Sequence, residues 1–459
     1  MAHRFHPSLL REYDMRGVVG ETLGGADAYA VGRTFGTLAA RAGGSAVAVG
    51  RDGRLSSPML ERALVRGLTD SGVDVLRIGL GATPMLYFAE AERDVIGGIQ
   101  ITGSHNPRDH NGFKLVFQHR PFFGEAIQQL GAMAAAGDWS EGAGEAETID
   151  LLDAYVARLM QGFDGAAFRI GWDAGNGAAG PAVEKLTQLL PGEHHLLFTD
   201  VDGHFPHHHP DPSEERNLAD LKALVLGNKL DFGMAFDGDG DRIGVVDGKG
   251  RTIAGDQLLS IFAEDVLKDR PGATVIADVK ASQALFDRIE ALGGRPLMWK
   301  TGHSLIKSKM KQTGAPLAGE MTGHVFFADD YHGFDDGLYA AIRLIRAVTR
   351  LGGSVTALRD AMPAMENTPE LRFPVAESRK FAVVDEVLGR LRAAGADLDD
   401  TDGARVRTQD GWWLLRASNT QEALVARVEA KDAAALARLI AELDSQLAES
   451  GVIRAAWEE

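Results

Sequence analysis

Three carboxylates stand in one short turn, Asp237-Gly238-Asp239-Gly240-Asp241-Arg242, directly after the apolar run DFGMAF. Carboxylates at i, i+2 and i+4 repel one another when the turn closes, so folding them together calls for a cation. All-oxygen ligands favour Mg2+ or Ca2+. The two glycines let the backbone fold tightly. An EF-hand needs Gly at its sixth position and Glu at its twelfth, where this chain has Arg242 and Gly248. A haloacid-dehalogenase-type aspartyl nucleophile and a merely solvated acidic turn are the other readings. The third Asp and the flanking glycines favour the metal.

Further groups could serve the same chemistry. Thr102-Gly103-Ser104-His105-Asn106-Pro107 follows the run IGGIQI, and Asn111-Gly112-Phe113-Lys114 comes next. A hydroxyl at a strand end can act as a nucleophile or carry a phosphate if a base or metal activates it. Lys114 could neutralise that phosphate. No G-x-S-x-G elbow is present, which argues against an α/β-hydrolase. Gly319-Glu320-Met321-Thr322-Gly323-His324 offers a carboxylate, a hydroxyl and an imidazole. Such a carboxylate can accept from two neighbouring sugar hydroxyls. Arg416-Ala417-Ser418-Asn419-Thr420 supplies a guanidinium, two hydroxyls, an amide and successive N–H groups, the makings of a phosphate cradle. Each of these motifs, taken singly, reads equally well as a polar turn.

Two features point elsewhere. Gly175-Asn176-Gly177-Ala178-Ala179-Gly180 fits G-x-G-x-x-G after the strand-like FRIGWD, with Asp200 at the end of the next apolar run. That is the context of a dinucleotide site, so a nicotinamide-dependent oxidoreductase is the rival from another class. A tight strand-to-helix turn that needs Gly for backbone reasons is the preferred reading. No P-loop occurs. His207-His208-His209, with His204, lies in a Pro-rich stretch without regular ligand spacing and reads as a surface loop.

The elements that must position these groups alternate. Strand-like runs such as SAVAVG, FRIGWD and TVIADV are each followed by a helical pattern, which predicts β-α-β units with largely parallel sheets. The unit recurs near 45, 168 and 273. The tail differs: VRTQDGWWLLRAS and EALVARVEA read as two strands, and DAAALARLIAELDSQLAE as one helix, a smaller α+β unit. Polar, Gly- or Pro-rich gaps near 136–150, 247–256 and 362–370 are the expected boundaries. The length of 459 residues suggests about three domains at ~150 each. An apolar fraction of 45% and a charged fraction of 25% describe an ordinary globular protein. The net charge of −17 argues against nucleic acid as a partner. With no Cys, thiolate chemistry, disulfides and Cys-ligated metals are excluded. No apolar run is long enough for a membrane span, and the N-terminal stretch lacks the apolar core of a signal peptide, so the chain reads as cytoplasmic.

TGSHNP, DGDGDR, GEMTGH and RASNT, in this order and at these intervals, resemble the α-D-phosphohexomutases, most closely the bacterial phosphomannomutase/phosphoglucomutase group. EYDMRG, VGRDGR, NGFK, VDGHFPHHHPDP, DVK and TGHS agree with that pattern. Phosphoglucosamine mutase is the alternative within the superfamily, but its members tend to carry Gln at the Met321 position and Gly at the Asn419 position. Thr322 replaces a commoner Ser, and Arg108 and His110 vary the flank of the serine loop.

The resemblance implies three similar α/β domains and a smaller α+β domain around a central cleft: residues 1–150, 151–252, 253–366 and 367–459. It implies that Ser104 is a phosphoserine and that Ser104, Asp237, Asp239 and Asp241 surround one Mg2+. Glu320 and Thr322 would read sugar hydroxyls. Arg416, Ser418, Asn419 and Thr420 would hold the distal phosphate. Tyr13, Arg16, Lys114, Arg242, Lys280, His303 and His324 would line the cleft, with Arg16, Lys114 and His324 candidates for proton transfer and charge stabilisation. The implied partners are small phosphosugars, with a hexose 1,6-bisphosphate as activator and no obligate protein partner.

Overall fold

The computed structural model describes residues 2–419 and 421–453. Sheets follow one another along the chain. In the first, Gly97–Ile101, Ala46–Arg51, Asp74–Leu80 and Ala146–Thr148 run parallel, while His110–Phe117 and Met15–Val18 continue the sheet antiparallel. In the second, Phe232–Phe236, Phe168–Asp173 and Gly192–Leu197 are parallel, with Ile243–Asp247 and Thr252–Ile253 added antiparallel. The third has Arg295–Trp299, Thr274–Asp278 and Leu317–Gly319 parallel and Val325–Phe327 antiparallel. The recurrence expected near 45, 168 and 273 falls on a parallel strand of each sheet.

One detail repeats across these three sheets and places the chemistry. A buried parallel strand ends, a polar loop follows, and the chain returns as the neighbouring antiparallel strand. The loop after Gly97–Ile101 carries Ser104, the loop after Phe232–Phe236 carries the three aspartates, and the loop after Leu317–Gly319 carries Glu320 and His324.

The fourth sheet is antiparallel throughout and differs from expectation in two places. VRTQDGWWLLRAS is not one strand: the turn around Asp410 folds it into the hairpin Ala404–Arg407 and Gly411–Ala417. A second helix, Glu377–Ala394, joins Ala433–Glu449 on this domain. Its apolar stripe is blurred in the sequence because Lys380 is buried and the neighbouring Phe381 is half exposed.

The core follows the same division. A single apolar cluster runs from Leu86 through Trp172 and Phe236 to Phe262 and Leu338, crossing the first three sheets. Buried Asp336 pins the junction: it accepts from the hydroxyls of Tyr155 and Tyr331 and from the Tyr339 amide, capping the helix Gly337–Leu351. The fourth domain has its own core around Leu415, Val428 and Leu439. Among the described residues, a small apolar seam of Val279, Trp412 and Leu414, with Met298 packed on it, joins it to the third. No helix among the described residues is long and apolar enough to cross a membrane.

Candidate active site

Ser104 sits at the tip of its loop with φ +50°, in the left-handed region that non-glycine residues seldom adopt. What holds it there is Arg54, whose side chain is fully buried beneath the loop. One guanidinium nitrogen donates to the carbonyls of Pro107 (2.5 Å) and His110 (2.9 Å), the other to those of Ser104 (2.7 Å) and Asn106 (2.6 Å). Asp52 completes the support, accepting from the Gly103 amide at 3.1 Å and from Ser57 Oγ at 2.6 Å. A Cβ at Gly103 would lie 2.4 Å from the Arg54 guanidinium, so this position requires glycine. Sequence reasoning quoted the VGRDGR stretch but gave Arg54 and Asp52 no role. Two charged residues around a glycine at a strand end were the available signal.

The acidic turn packs directly on the serine loop. A Cβ on Gly238 would stand 2.5 Å from the Ser104 carbonyl oxygen. Ser104 Oγ donates to Asp237 Oδ2 at 2.9 Å and lies 3.0 Å from His105 Nδ1. Asp237, Asp239 and Asp241 are fully buried, and one oxygen of each lies within 4.8 Å of the others. Lys114 Nζ donates to Asp239 Oδ2 at 2.7 Å and also to Asp241 Oδ2. Thr83 Oγ1 reaches Asp239 Oδ2 from the first domain, a contact no sequence feature announced.

Burial, together with Asp239 and Asp241, pushes the Asp237 carboxyl well above its ordinary range. Burial would do the same to the other two, but Lys114 holds both below it, aided at Asp241 by His324. Asp239 Oδ1 and Asp241 Oδ1 remain buried without a hydrogen-bond partner among the described residues. Orphaned carboxylate oxygens facing one point fit a hard divalent cation.

The sugar loop meets this turn from the third domain. Arg242 and His324 form an antiparallel backbone bridge, and the Ile243 amide donates to Gly323 O at 3.0 Å. Glu320 accepts from the Gly302 amide at 2.8 Å and places its other oxygen 3.1 Å from His324 Nδ1. Thr322 Oγ1 is 3.2 Å from the same nitrogen. Burial and Arg242 oppose a charge on His324, but Asp241 and Glu320 prevail and raise its pKa to about 9. His303 opens the helix His303–Thr313 and stacks on His324, ring centres 5.6 Å apart. Arg16 Nε donates to Asp14 at 2.7 Å, and its NH1 to Gly103 O at 3.4 Å.

The fourth domain closes the opposite wall. Arg416 Nε donates to Asp402 at 2.9 Å, and Lys380 Nζ donates to the Ser418 carbonyl at 2.6 Å. Lys380, which sequence reasoning also passed over, thus supports the cradle from below. Asn419 Nδ2 donates to the Tyr13 hydroxyl, which itself donates to Thr301 O at 2.8 Å. Tyr13 therefore ties the first, third and fourth domains. Lys280 lies 3.4 Å from Glu370. Thr420, expected in the cradle, lies outside the described residues.

All four loops face one cleft of about 2420 Å³. Tyr13, Arg16, Arg242, Lys280, His303, Glu320, Thr322, His324, Arg416, Ser418 and Asn419 line it. Ser104, Lys114 and the three aspartates lie just behind this wall, each at most 3% exposed.

Four family models match, in order, to this arrangement. Phosphoglucomutase/phosphomannomutase alpha/beta/alpha domains I, II and III cover residues 7–139, 153–250 and 254–365, and the C-terminal domain covers 370–446. The chain belongs to the phosphoglucomutase/phosphomannomutase family. The phosphomannomutase/phosphoglucomutase of Pseudomonas putida is 45% identical over 94% of each chain. The phosphoglucomutase of Neisseria gonorrhoeae is 44% identical over 94% of this chain and 95% of its own. A crystal structure of a phosphoglucomutase/phosphomannomutase family protein from Burkholderia thailandensis superposes with a TM-score of 0.92 at 43% identity, covering 97% of this chain and 98% of its own. The family's fold, three α/β domains and a smaller C-terminal one, is the fold described above.

Within this phosphohexomutase frame the two diverting motifs have structural work. The glycines of 175–180 face protein backbone where a dinucleotide would need its pyrophosphate: a Cβ on Gly177 would lie 2.9 Å from Gly238 O, and one on Gly180 1.9 Å from Thr199 O. The Ala178 amide donates to Gly238 O at 3.0 Å, so this turn buttresses the acidic one. The histidine run is not a free surface loop. His207 stacks on Phe198, His208 Nε2 sits 2.9 Å from Asp173, and His209 Nε2 bonds the His105 carbonyl. The preceding residues cover Arg54, with Phe205 under its guanidinium at 5.4 Å. Sequence alone could not see this, because the stretch braces a loop about a hundred residues away.

Proposed function

We propose that this chain is a phosphohexomutase that interconverts the 1- and 6-phosphates of mannose and glucose through a phosphoserine at Ser104 and a bound hexose 1,6-bisphosphate. The observation that carries this reading is the convergence of four loops: a left-handed serine hydroxyl on a buried carboxylate, a sugar-reading carboxylate beside an imidazole, and a guanidinium cradle across one cleft.

In the first half-reaction the bond between phosphorus and Ser104 Oγ breaks as the sugar O6 takes the phosphoryl group. The O6 proton passes to a group of the chain; Arg16, Lys114 and His324 are the candidates, and His324, whose pKa is raised to about 9, serves as proton donor to the oxygen that leaves rather than as acceptor from the one that attacks. The bisphosphate turns over within the cleft, and its other phosphoryl group returns to Ser104 Oγ, so phosphate and protons balance over the cycle. Asp237, Asp239 and Asp241 would hold Mg2+, which supplies charge neutralisation at the transferring phosphoryl group. Arg16, Lys114 and Arg242 add fixed positive charge around the same point. Glu320 and Thr322 read the sugar O3 and O4, while Arg416, Ser418, Asn419 and Thr420 hold the phosphate that is not reacting. Positioning and charge neutralisation carry the rate, as phosphoryl transfer requires.

The test is a coupled assay on glucose 1-phosphate and mannose 1-phosphate with Mg2+ and a trace of the matching bisphosphate as activator. Both sugars should be converted, and intact-mass analysis should find one phosphate on active protein. Conversion of glucosamine 1-phosphate in preference to both would instead select the phosphoglucosamine alternative.

A further inference from the structure

Behind the sugar loop lies a second set of converging ligands. Asp335 is fully buried and was not singled out by any sequence feature. Its Oδ1 accepts from Lys307 Nζ at 2.8 Å. Its Oδ2 has no hydrogen-bond partner among the described residues, and lies 3.5 Å from His303 Nδ1 and 3.8 Å from His324 Nε2. Asp241 mirrors it: Oδ2 is taken by Lys114, while orphaned Oδ1 lies 3.4 Å from His324 Nε2. His303 Nδ1 is a third orphan, beside Asp335 Oδ2.

We propose that Asp241, His324 and Asp335 form a second metal site, selective for a borderline transition ion of the Zn2+ class and inhibitory when filled. The donors are one imidazole nitrogen and two carboxylate oxygens, which with a water complete a four-coordinate set that suits Zn2+ or Co2+, whereas the all-carboxylate turn suits a harder ion. A tetrahedral ion with bonds of about 2.1 Å spaces its ligand atoms about 3.4 Å apart; His324 Nε2 lies 3.4 Å from Asp241 Oδ1 and 3.8 Å from Asp335 Oδ2, and the three ligand atoms fall within 4.8 Å of one another. Lys307 and Lys114 occupy the outward oxygens of the two carboxylates and leave the inward ones free. Glu320, 3.1 Å from His324 Nδ1, is placed to fix the imidazole with Nε2 toward the ion, the carboxylate–histidine–metal relation of established sites. The contact the ion replaces is the 3.3 Å donation from Arg242 Nε to His324 Nε2.

Such an ion takes His324 out of proton exchange and draws Asp241 from the acidic turn. Binding stands on the geometry alone, while inhibition rests on the mutase reading.

The experiment titrates Co2+ into the full chain at saturating Mg2+ and follows visible absorption, with Zn2+ then added. The intense band of a four-coordinate cobalt ion should appear and vanish on addition of Zn2+. It should be lost in Asp335→Asn and in His324→Ala, two separate ligand positions, so that failure of one to fold leaves the other to decide. Asp237→Asn, which removes no donor of this second site, should keep the band. Glu320→Gln should weaken cobalt binding roughly ten- to a hundredfold. In the coupled assay Zn2+ should inhibit, with chelator restoring the rate. Absence of the band, or a band that survives both Asp335→Asn and His324→Ala but disappears in Asp237→Asn, overturns the site. A band without any mutase activity keeps the site and rejects the function.

Discussion

The two ends of the cleft are built differently. At the serine end, Ser104 and the three aspartates are at most 1% exposed, backed by an apolar core that crosses three domains without a break. Backbone meets backbone there at glycines, and charged groups bond across domains. At the cradle end, Arg416 and Ser418 stand on a domain with a separate core and a small apolar seam. Polar ties add to it, among them Arg405 to Val279 O at 2.7 Å, Arg427 to Lys280 O at 2.6 Å, Ser282 to Glu429 at 2.8 Å and Asn419 to Tyr13. A continuous core fixes relative positions, whereas a polar interface lets a domain move as a unit. The difference matches two tasks. Phosphoryl transfer tolerates little misplacement, while a site that admits a sugar and lets its bisphosphate turn over must open and close.

The largest expected effect falls on the rigid end. Ser104→Ala should abolish transfer, and the single phosphate seen by intact mass should vanish with it, while thermal unfolding stays close to wild type. Turnover at the wild-type rate would remove Ser104 from the reaction altogether.

Metal removal comes next. Exhaustive chelation should stop the mutase and Mg2+ should restore it, and Asp239→Asn should lose most activity. Full activity in a rigorously metal-free preparation would mean that Lys114 alone neutralises the turn.

Arg54→Lys probes rigidity without touching the cleft. A lysine offers fewer, differently directed donors than the planar guanidinium that gathers four loop carbonyls. With Ser104 displaced by a fraction of an ångström or more, kcat should fall on the order of a hundredfold with KM little changed. A change in KM alone would show that the loop positions substrate, not the nucleophile.

At the cradle end, Arg416→Ala should raise KM roughly ten- to a hundredfold, since a charge-assisted hydrogen bond is lost at ~1.5–3 kcal/mol. The contrast with Arg54→Lys sharpens the comparison: one variant moves kcat, the other chiefly KM. A pure kcat loss in both would break it.

The smallest effect concerns the sugar. Glucose and mannose differ only at C2, away from the hydroxyls assigned to Glu320 and Thr322, so their kcat/KM values should lie within about a factor of a hundred. Galactose 1-phosphate, inverted at C4, should be much poorer. Equal use of galactose 1-phosphate would reject the role given to Glu320.

Much of this site was legible in the chain because its chemistry is carried by short contiguous loops. The three aspartates, the serine loop, Glu320 with His324 and the Arg416 cradle each declare their chemistry within a few residues; the last two line the cleft, while Ser104 and the aspartates are buried just behind its wall. The helix Glu377–Ala394 was not legible, since Lys380 is buried on it for the sake of the Ser418 carbonyl. Asp335 and Thr83 were missed for a related reason: a lone carboxylate or hydroxyl has no local pattern, and its partners lie in other segments.

The sequence by itself determined which functional groups exist, that each follows an apolar strand, and that glycine stands wherever the backbone must pass closely, as at Gly103 and Gly238. Those are properties of neighbouring residues, fixed by side-chain alternation and by the steric limits of φ and ψ. Only the tertiary structure decided that Arg54 grips the serine loop, that the histidine run braces it, and that Asp335 faces His303 and His324. The first two pairings join segments about fifty to a hundred residues apart, the third joins side chains that only packing turns toward one another, and burial of a shared core sets them.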